Sequence, residues 1–406
     1  FRKVGGVYSK ALKMCYANPR LRSLLRSMPC PINGTAPTCP AGWLWGGWGV
    51  TVEGATPTWM GRSVAEACVN EMFTEDIVKR FHGALQRAAG PAHGSVLLTA
   101  VTREMVDFAE NLLCSFRAVG AGTAAVILGL EKGVCKRLPR GWECVEVTSA
   151  RRDPETDHWR HGAVKMTALA IAVASGFAEG VLYTSPDIVL VRNPLAVARG
   201  AAISGSGVDA IFQSNNALRQ GARSCSEVHP KYWTRQGGKG MELNTGLFYI
   251  RHTPGSINFM IRALWNLYDG STGFDGGEQR PMQHAMQELG KSFEVRTFPC
   301  GVFANGNVFW GHQEAIKLSE VALVSGNWIA GAELKRACMK AAGLWALPAP
   351  VSASSQTQAK NARTAKCSLS HEKFTTSPVA LRAKAQLTDS GWILQCPTVA
   401  PPALLS

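Results

Sequence analysis

Between residues 95 and 345 the apolar positions follow two alternating rhythms. Val96-Leu97-Leu98-Thr99-Ala100 is a short continuous apolar run, the pattern of a strand buried on both faces. Thr102 then offers a helix cap. Met105, Phe108, Ala109, Leu112, Leu113, Phe116 and Val119 recur at helical spacing until Gly120 stops them. Residues 124–130 and 144–147 predict two further strands, and 162–175 an alanine-rich helix closed by Gly176. Residues 181–183 and 188–191 are strand-like on either side of Ser185-Pro186-Asp187. Strands follow at 209–213 and 243–250, and helices near 255–268, 279–289 and 332–343. Alternating strand and helix predicts an α/β fold with a mostly parallel, doubly wound sheet flanked by helices.

The flanks differ. Residues 1–94 form an irregular extension rich in tryptophan, proline and glycine. Arg20, Arg22 and Arg26 lie near helical spacing there, as on a solvated face. Trp43, Trp45, Trp48 and Trp59 sit among glycines, which suits either a packed loop or a flat stacking platform for sugars. Residues 348–406 are dominated by Ala, Ser, Thr, Pro and Gln and read as a flexible basic tail. The organisation is therefore an extension (1–94), an α/β domain (95–347) and a tail (348–406).

Composition narrows the function classes. With 46% hydrophobic and 18% charged residues, wholesale disorder is excluded, and no repeating unit is present. A formal net charge of +14 suits phosphate, polyanion or acidic-glycan partners. No compact module interleaves aromatic and basic residues, so nucleic acid is not an expected partner. The strongly apolar runs 118–130 and 166–178 fall short of the roughly 20 residues needed to cross a bilayer. The chain opens on Phe1, so it reads as a fragment with room upstream for a signal or membrane anchor. Its 12 cysteines include no CxxC pair. Cys30 and Cys39 bracket a loop holding the sequon Asn33-Gly34-Thr35, which favours a secretory lumen.

Three segments carry candidate chemistry. Asp187, just after a strand, can hold a cation bridging a diphosphate, or simply cap a turn after Pro186. Asn244 and Thr245, at a strand start, can bind sugar hydroxyls or satisfy turn backbone. Glu278 and Gln279, after Gly276-Gly277, open a helix whose first amides suit an anionic or hydroxylated ligand. They equally complement the helix dipole. Leu289-Gly290-Lys291-Ser292 imitates the end of a phosphate-binding loop, but Ala285 fills the required earlier glycine position. His158 and His161 could share a helical face.

Together these segments resemble the nucleotide-diphospho-sugar transferase domain of plant and green-algal retaining glycosyltransferases. That group includes extensin arabinosyltransferases and rhamnogalacturonan xylosyltransferases. The resemblance spans about residues 95–345. It rests on V-L-L-T-A-V-T, N-L-L-C-S-F, Y-T-S-P-D-I-V-L-V-R-N-P-L, Q-S-N-N, N-T-G-L-F-Y-I-R, G-E-Q, F-A-N-G and L-V-S-G-N-W-I-A-G in that order. It implies a GT-A fold with a Rossmann-like sheet. A UDP-sugar donor, a glycan or glycoprotein acceptor, Mn²⁺ or Mg²⁺, retained anomeric configuration and a Golgi lumen are implied with it. Carried over by position, Asp187 is the second acid of Asp-x-Asp and the metal ligand. Glu278 and Gln279 are the catalytic acid–glutamine pair. Asn215, Asn244 and Thr245 face the substrate, and Asn327 and Trp328 close over the diphosphate.

Two positions depart from the pattern: Ser185 replaces the first acid and Ser325 a histidine. Both losses weaken the expected metal site. Lys165 and Arg192 are the cations that could neutralise a diphosphate instead, Lys165 as a substrate contact. Two readings follow, a glycosyltransferase and a catalytically degenerate binder of the same fold. The first expects one hollow shared by Asp187, Asn244, Gln279 and Trp328.

Overall fold

The computed structural model describes residues 73–90, 94–121, 124–147, 157–203, 207–215, 217–227, 242–269, 277–329, 331–345 and 347, with the segments 384–388 and 391–395. The tryptophan cluster, the Cys30–Cys39 loop with its sequon and most of the tail lie outside the described residues.

In chain order the helices are α1 (Glu75–Ala89), α2 (Val106–Ala118), α3 (Val134–Arg137), α4 (Asp157–Ser175), α5 (Pro194–Ile203), α6 (Pro254–Asp269), α7 (Gln279–Leu289), α8 (Gly306–Gly311) and α9 (Ala332–Ala341). The strands are β1 (Val96–Val101), β2 (Ala125–Gly129), β3 (Glu143–Glu146), β4 (Gly180–Thr184), β5 (Ile188–Leu190), β6 (Ala210–Ser214), β7 (Leu243–Arg251), β8 (Val295–Thr297), β9 (Phe303–Ala304), β10 (Leu323–Ser325), β11 (Lys384–Thr388) and β12 (Gly391–Gln395). Among the described residues, seven strands form one sheet in the order β3-β2-β1-β4-β7-β6-β8. Only β7 runs against its neighbours there. A small sheet β5-β10-β9 stands beside it, and β11 pairs with β12 as a hairpin. The expected α/β class with a mostly parallel sheet is what is observed.

The strand sequences explain the layers. β1 is buried at every position. Val96, Leu98 and Ala100 enter one core, and Leu97 and Val101 the other, because successive side chains take opposite faces. The first core holds apolar residues of α1, α4, α6 and α7; the second holds those of α2, α3 and α5. Each fully buried Leu, Ile or Phe contributes about 1.5–3 kcal/mol of transfer free energy. α1 falls within the stretch read as an extension. Thr74 caps it by accepting from the Ile77 amide at 3.4 Å, and Ile77, Val78, Phe81, Ala84 and Leu85 pack on the sheet.

α4 packs into the first core with a mixture of small and large residues, Ala163, Ala168 and Ala172 beside Met166, Leu169 and Ile171. It ends where expected, at Gly176, whose φ of +67° and whose contact with the His252 ring exclude a larger residue. Gly120 (φ +71°) likewise closes α2. The cap expected from Thr102 does not form. A 3₁₀ turn (Arg103–Met105) precedes α2, and the Thr102 side chain caps neither.

A third core joins α2, α8 and α9 to the small sheet through Phe108, Val189, Val308, Trp310, Val324 and Met339. Disulfides link Cys135 to Cys144 and Cys225 to Cys300. Cys114 and Cys338 are also disulfide-bonded. No helix among the described residues is long and apolar enough to cross a membrane.

Candidate active site

The sheet order reverses between β1 and β4: β2 and β3 run out on one side, β4 and β7 on the other. Open α/β sheets leave a crevice beyond the carboxyl ends of their strands at such a point. Here that crevice is a cavity of about 300 Å³. Ala100 and Thr102 line it from the end of β1, and Tyr183, Ser185 and Asp187 from the end of β4. His161 and Lys165 reach it from α4, Glu278 from the start of α7 and Lys335 from α9. The Thr102 hydroxyl has no partner among the described residues.

An irregularity in β7 builds one side of the site. Against β6 the register jumps from Phe212↔Phe248 to Gln213↔Asn244, so residues 245–247 bulge out of the ladder. Bulges re-aim side chains at functional rims. The bulge turns the Thr245 hydroxyl onto Glu278 Oε1 (3.0 Å) and its carbonyl onto Lys165 Nζ (2.5 Å). Lys165 Nζ also donates to Glu278 Oε1 at 2.5 Å and lies 4.0 Å from the Tyr183 ring centroid. Lys165 is 5% exposed, and two of its three donors are taken by the Thr245 carbonyl and Glu278.

The electrostatics follow from burial and proximity. Burial alone would push the Glu278 carboxyl up, but the Lys165 charge and the hydrogen bonds of Lys165 and Thr245 hold it below its ordinary 4.5. Burial pulls the Lys165 ammonium below 10.5 against the opposing pull of Glu278. Tyr183, buried near both Glu278 and Asp187, is driven well above its ordinary range and stays a neutral phenol.

The cavity wall also holds Asp187, which is 5% exposed. Its Oδ2 accepts from Lys335 Nζ at 2.5 Å, and its carbonyl accepts from the Gly326 amide at 2.8 Å. Gly326 is tightly packed: a Cβ there would stand 3.1 Å from the Asp187 carbonyl oxygen and 3.3 Å from Oδ2, so a neighbour would have to shift. Ser325 is buried on β10 beside Ile188, and its hydroxyl accepts from the Asn327 amide at 3.2 Å.

This donor set does not fit the expected divalent metal. Magnesium-type ions take near-octahedral oxygen shells. Here one carboxylate is already paired with a lysine and the flanking positions are hydroxyls. Among the described residues no three His, Cys, Asp or Glu side chains converge.

The other expected residues separate into two groups. Asp187, Lys165 and Glu278 share the cavity, and Thr245 is bonded to its wall. The single hollow expected for Asp187, Asn244, Gln279 and Trp328 is not found: the last three are not among the lining of the cavity that holds Asp187. Asn244 donates to Gln213 Oε1 (2.6 Å) and accepts from the Gly246 amide (2.8 Å), a brace inside the bulge. Asn215 and Gln279 both donate to Glu242 Oε1 at 3.1 Å, forming a second polar cluster. Asn327 accepts from the Gly306 amide at 2.5 Å, and a Cβ on Gly306 would overlap the Asn327 carbonyl oxygen. Trp328 follows at φ +70°, a left-handed conformation rare outside glycine, and packs on the third core. Arg192 bonds the Ser319 carbonyl, away from the cavity. The His158 side chain lies outside the described residues; His161 is on the cavity wall. Sequence reasoning missed Lys335, Thr102 and Glu242.

Residues 145–339 match the family model described as nucleotide-diphospho-sugar transferase, just under half of the chain. Among solved structures, the chain is similar to a glycosyltransferase involved in glycosylation of the major capsid of PBCV-1. The two are 8% identical over 60% of this chain and 98% of that one, with a TM-score of 0.36. It is also similar to the Mycobacterium tuberculosis glucosyl-3-phosphoglycerate synthase, solved with Mn²⁺, UDP and phosphoglyceric acid. There the identity is 13% over 53% of this chain and 71% of that one, with a TM-score of 0.31. A galactosyltransferase solved with donor and acceptor sugar analogues is 13% identical over 56% of this chain and 86% of that one, with a TM-score of 0.36. No curated protein sequence matches.

Proposed function

We propose that this protein is a glycosyltransferase that takes a nucleotide-diphosphate sugar into the cavity at the ends of β1 and β4 and passes the sugar to a glycan or glycoprotein acceptor. The observation that carries the reading is the cavity itself. It opens at the sheet's point of reversal and brings together Asp187, Lys165, Glu278 and Lys335. All four lie within the stretch that matches the nucleotide-diphospho-sugar transferase model.

In such a transfer the bond between the anomeric carbon and the diphosphate oxygen breaks. A bond from the acceptor oxygen to that carbon forms. With retained configuration the acceptor approaches on the leaving-group face, and the departing phosphate oxygen takes the acceptor proton. No separate base is required. Glu278 is suited to holding the site rather than attacking it: one oxygen is committed to Lys165 and Thr245, and Gly162 approaches the other. A Cβ at Gly162 would lie 3.2 Å from Glu278 Oε2, so the glycine keeps that wall closed.

We place the protein in a secretory lumen of the Golgi type, acting on cell-wall glycan or hydroxyproline-rich glycoprotein. The disulfides Cys135–Cys144 and Cys225–Cys300 support an oxidising compartment. The test is hydrolysis of UDP-arabinose, UDP-xylose and UDP-galactose, with acceptor transfer assayed in parallel. Turnover of one donor, abolished by Asp187→Ala, is the expected result. A second reading, a binder without turnover, is favoured by Ser185 and Ser325 standing where ligating side chains are expected. Tight nucleotide binding with no turnover across the donor panel would establish it.

A further inference from the structure

We propose that Lys335 takes the place of a divalent cation: its ammonium, held on Asp187, binds the diphosphate of the nucleotide without metal. The proposal rests on the donor-site reading above.

Charge conservation supports it. Two carboxylates with a doubly charged ion sum to zero. One carboxylate with one ammonium also sums to zero, so a serine at 185 together with a lysine in place of the ion leaves the same net charge for an incoming diphosphate. The contact is direct, with Nζ 2.5 Å from Asp187 Oδ2 and both side chains on the cavity wall. An ammonium has three donors. Among the described residues Asp187 is the sole partner of Lys335, which leaves two donors for phosphate oxygens.

The other cations are otherwise engaged. Lys165 is spent on Glu278, the Thr245 carbonyl and the Tyr183 ring, with its side chain 6% exposed against 20% for Lys335. Arg192 holds the Ser319 carbonyl outside the cavity. Placement of Lys335 is also fixed by the fold. The backbone at Gly326 packs directly on Asp187. α9 follows at Ala332 and is anchored in the third core by Cys338 and Met339. A lysine acts on phosphate as a point charge, without the two-pronged geometry of arginine, so the site demands position rather than a particular side-chain plane.

Calorimetric titration of the full chain with UDP, GDP, ADP, CDP and inorganic pyrophosphate, in EDTA and in Mn²⁺, tests this. At least one nucleoside diphosphate should bind in EDTA with a Kd within about twofold of that in Mn²⁺. Pyrophosphate should bind more weakly, as a headgroup lacking its base; pyrophosphate binding better than every nucleotide would overturn the assignment of the ligand. Lys335→Ala should weaken binding in EDTA about tenfold or more, and Lys335→Arg by no more than about threefold. The neutral pair Asp187→Asn with Lys335→Gln leaves no unpaired buried charge, keeps the variant folded and should lose affinity equally. Wild-type binding in Mn²⁺ that EDTA abolishes overturns the proposal while the donor-site reading stands. So does binding in EDTA that both Lys335→Ala and the neutral pair leave intact. If no diphosphate binds in either buffer, the donor-site reading falls, and the proposal with it.

Discussion

Two lysine–carboxylate pairs line one cavity and differ in kind. Lys165–Glu278 is closed: its ammonium has an ion partner, a carbonyl and an aromatic face, and a hydroxyl completes the carboxylate. Lys335–Asp187 is open: its ammonium meets one carboxylate and is exposed enough for a ligand to reach. A buried pair gains from mutual attraction what it lost in leaving water, and little more, so its worth lies in the geometry it enforces. The difference shows that charge in a site does not by itself mark chemistry. The unspent bonding capacity of each charge does.

The comparison breaks most forcefully at the closed pair. Lys165→Met strands Glu278 without its counter-charge and should cost about 3 kcal/mol or more in urea unfolding; a loss below about 1 kcal/mol would mean the carboxylate is well solvated.

The same pair sets a pH limit. Glu278 sits below its ordinary 4.5 in the folded state, so its contribution to stability is complete above that value and is lost as pH falls through the lower folded value. Acid unfolding of Glu278→Gln should lack that part of the decline. Equal acid sensitivity in wild type and variant would remove Glu278 from the account.

At the open pair, Lys335→Met leaves the buried Asp187 without its counter-charge, beside a cavity that a ligand can enter. It should cost about 2 kcal/mol of stability, less than the closed pair because Lys335 is itself the more exposed lysine. Parity with Lys165→Met would erase the distinction drawn here.

Gly162→Ala sharpens the comparison further. Helix propensity alone favours alanine by about 1 kcal/mol. The new methyl would crowd Glu278, 3.2 Å from Oε2 and 3.4 Å from its amide nitrogen. No net stabilisation is therefore expected in thermal unfolding, and a full gain would show that the Glu278 wall yields freely. Smallest of all, Arg192→Ala, outside the cavity, should shift stability by no more than about 0.5 kcal/mol. It should leave UDP titration unchanged; a weaker titration would return Arg192 to the site.

Much of the scaffold was legible because its signals are local. The apolar runs of β1 and β4, the alanine-rich α4 and the stops at Gly120 and Gly176 follow from spacing and backbone preference. α1 carried the same kind of signal, a Thr74 cap ahead of Ile77, Val78, Phe81, Ala84 and Leu85, in a stretch read as irregular. β8, β9 and β10 are two or three residues long, too short for any periodicity to show.

In the site, Asp187, Lys165 and Glu278 were named from order along the chain, and the cavity unites them. What sequence could not convey is how side chains divide the available partners. Asn244 is consumed by Gln213 and Gly246, and Gln279 by Glu242. Lys335 is one basic residue among several on an amphipathic helix. Its meeting with Asp187, 148 positions earlier, depends on how β10 lies against β5.

The reversed direction of β7 has one more consequence. Ser214, the last residue of β6, pairs with Leu243, the first of β7, so the connector 215–242 leaves and re-enters the sheet at neighbouring points. Its closure is already secured by that pairing, and each doubling of such a loop adds only about 0.6 kcal/mol of entropy cost. Changes in the length of the connector can thus be absorbed while β6 and β7 keep their register.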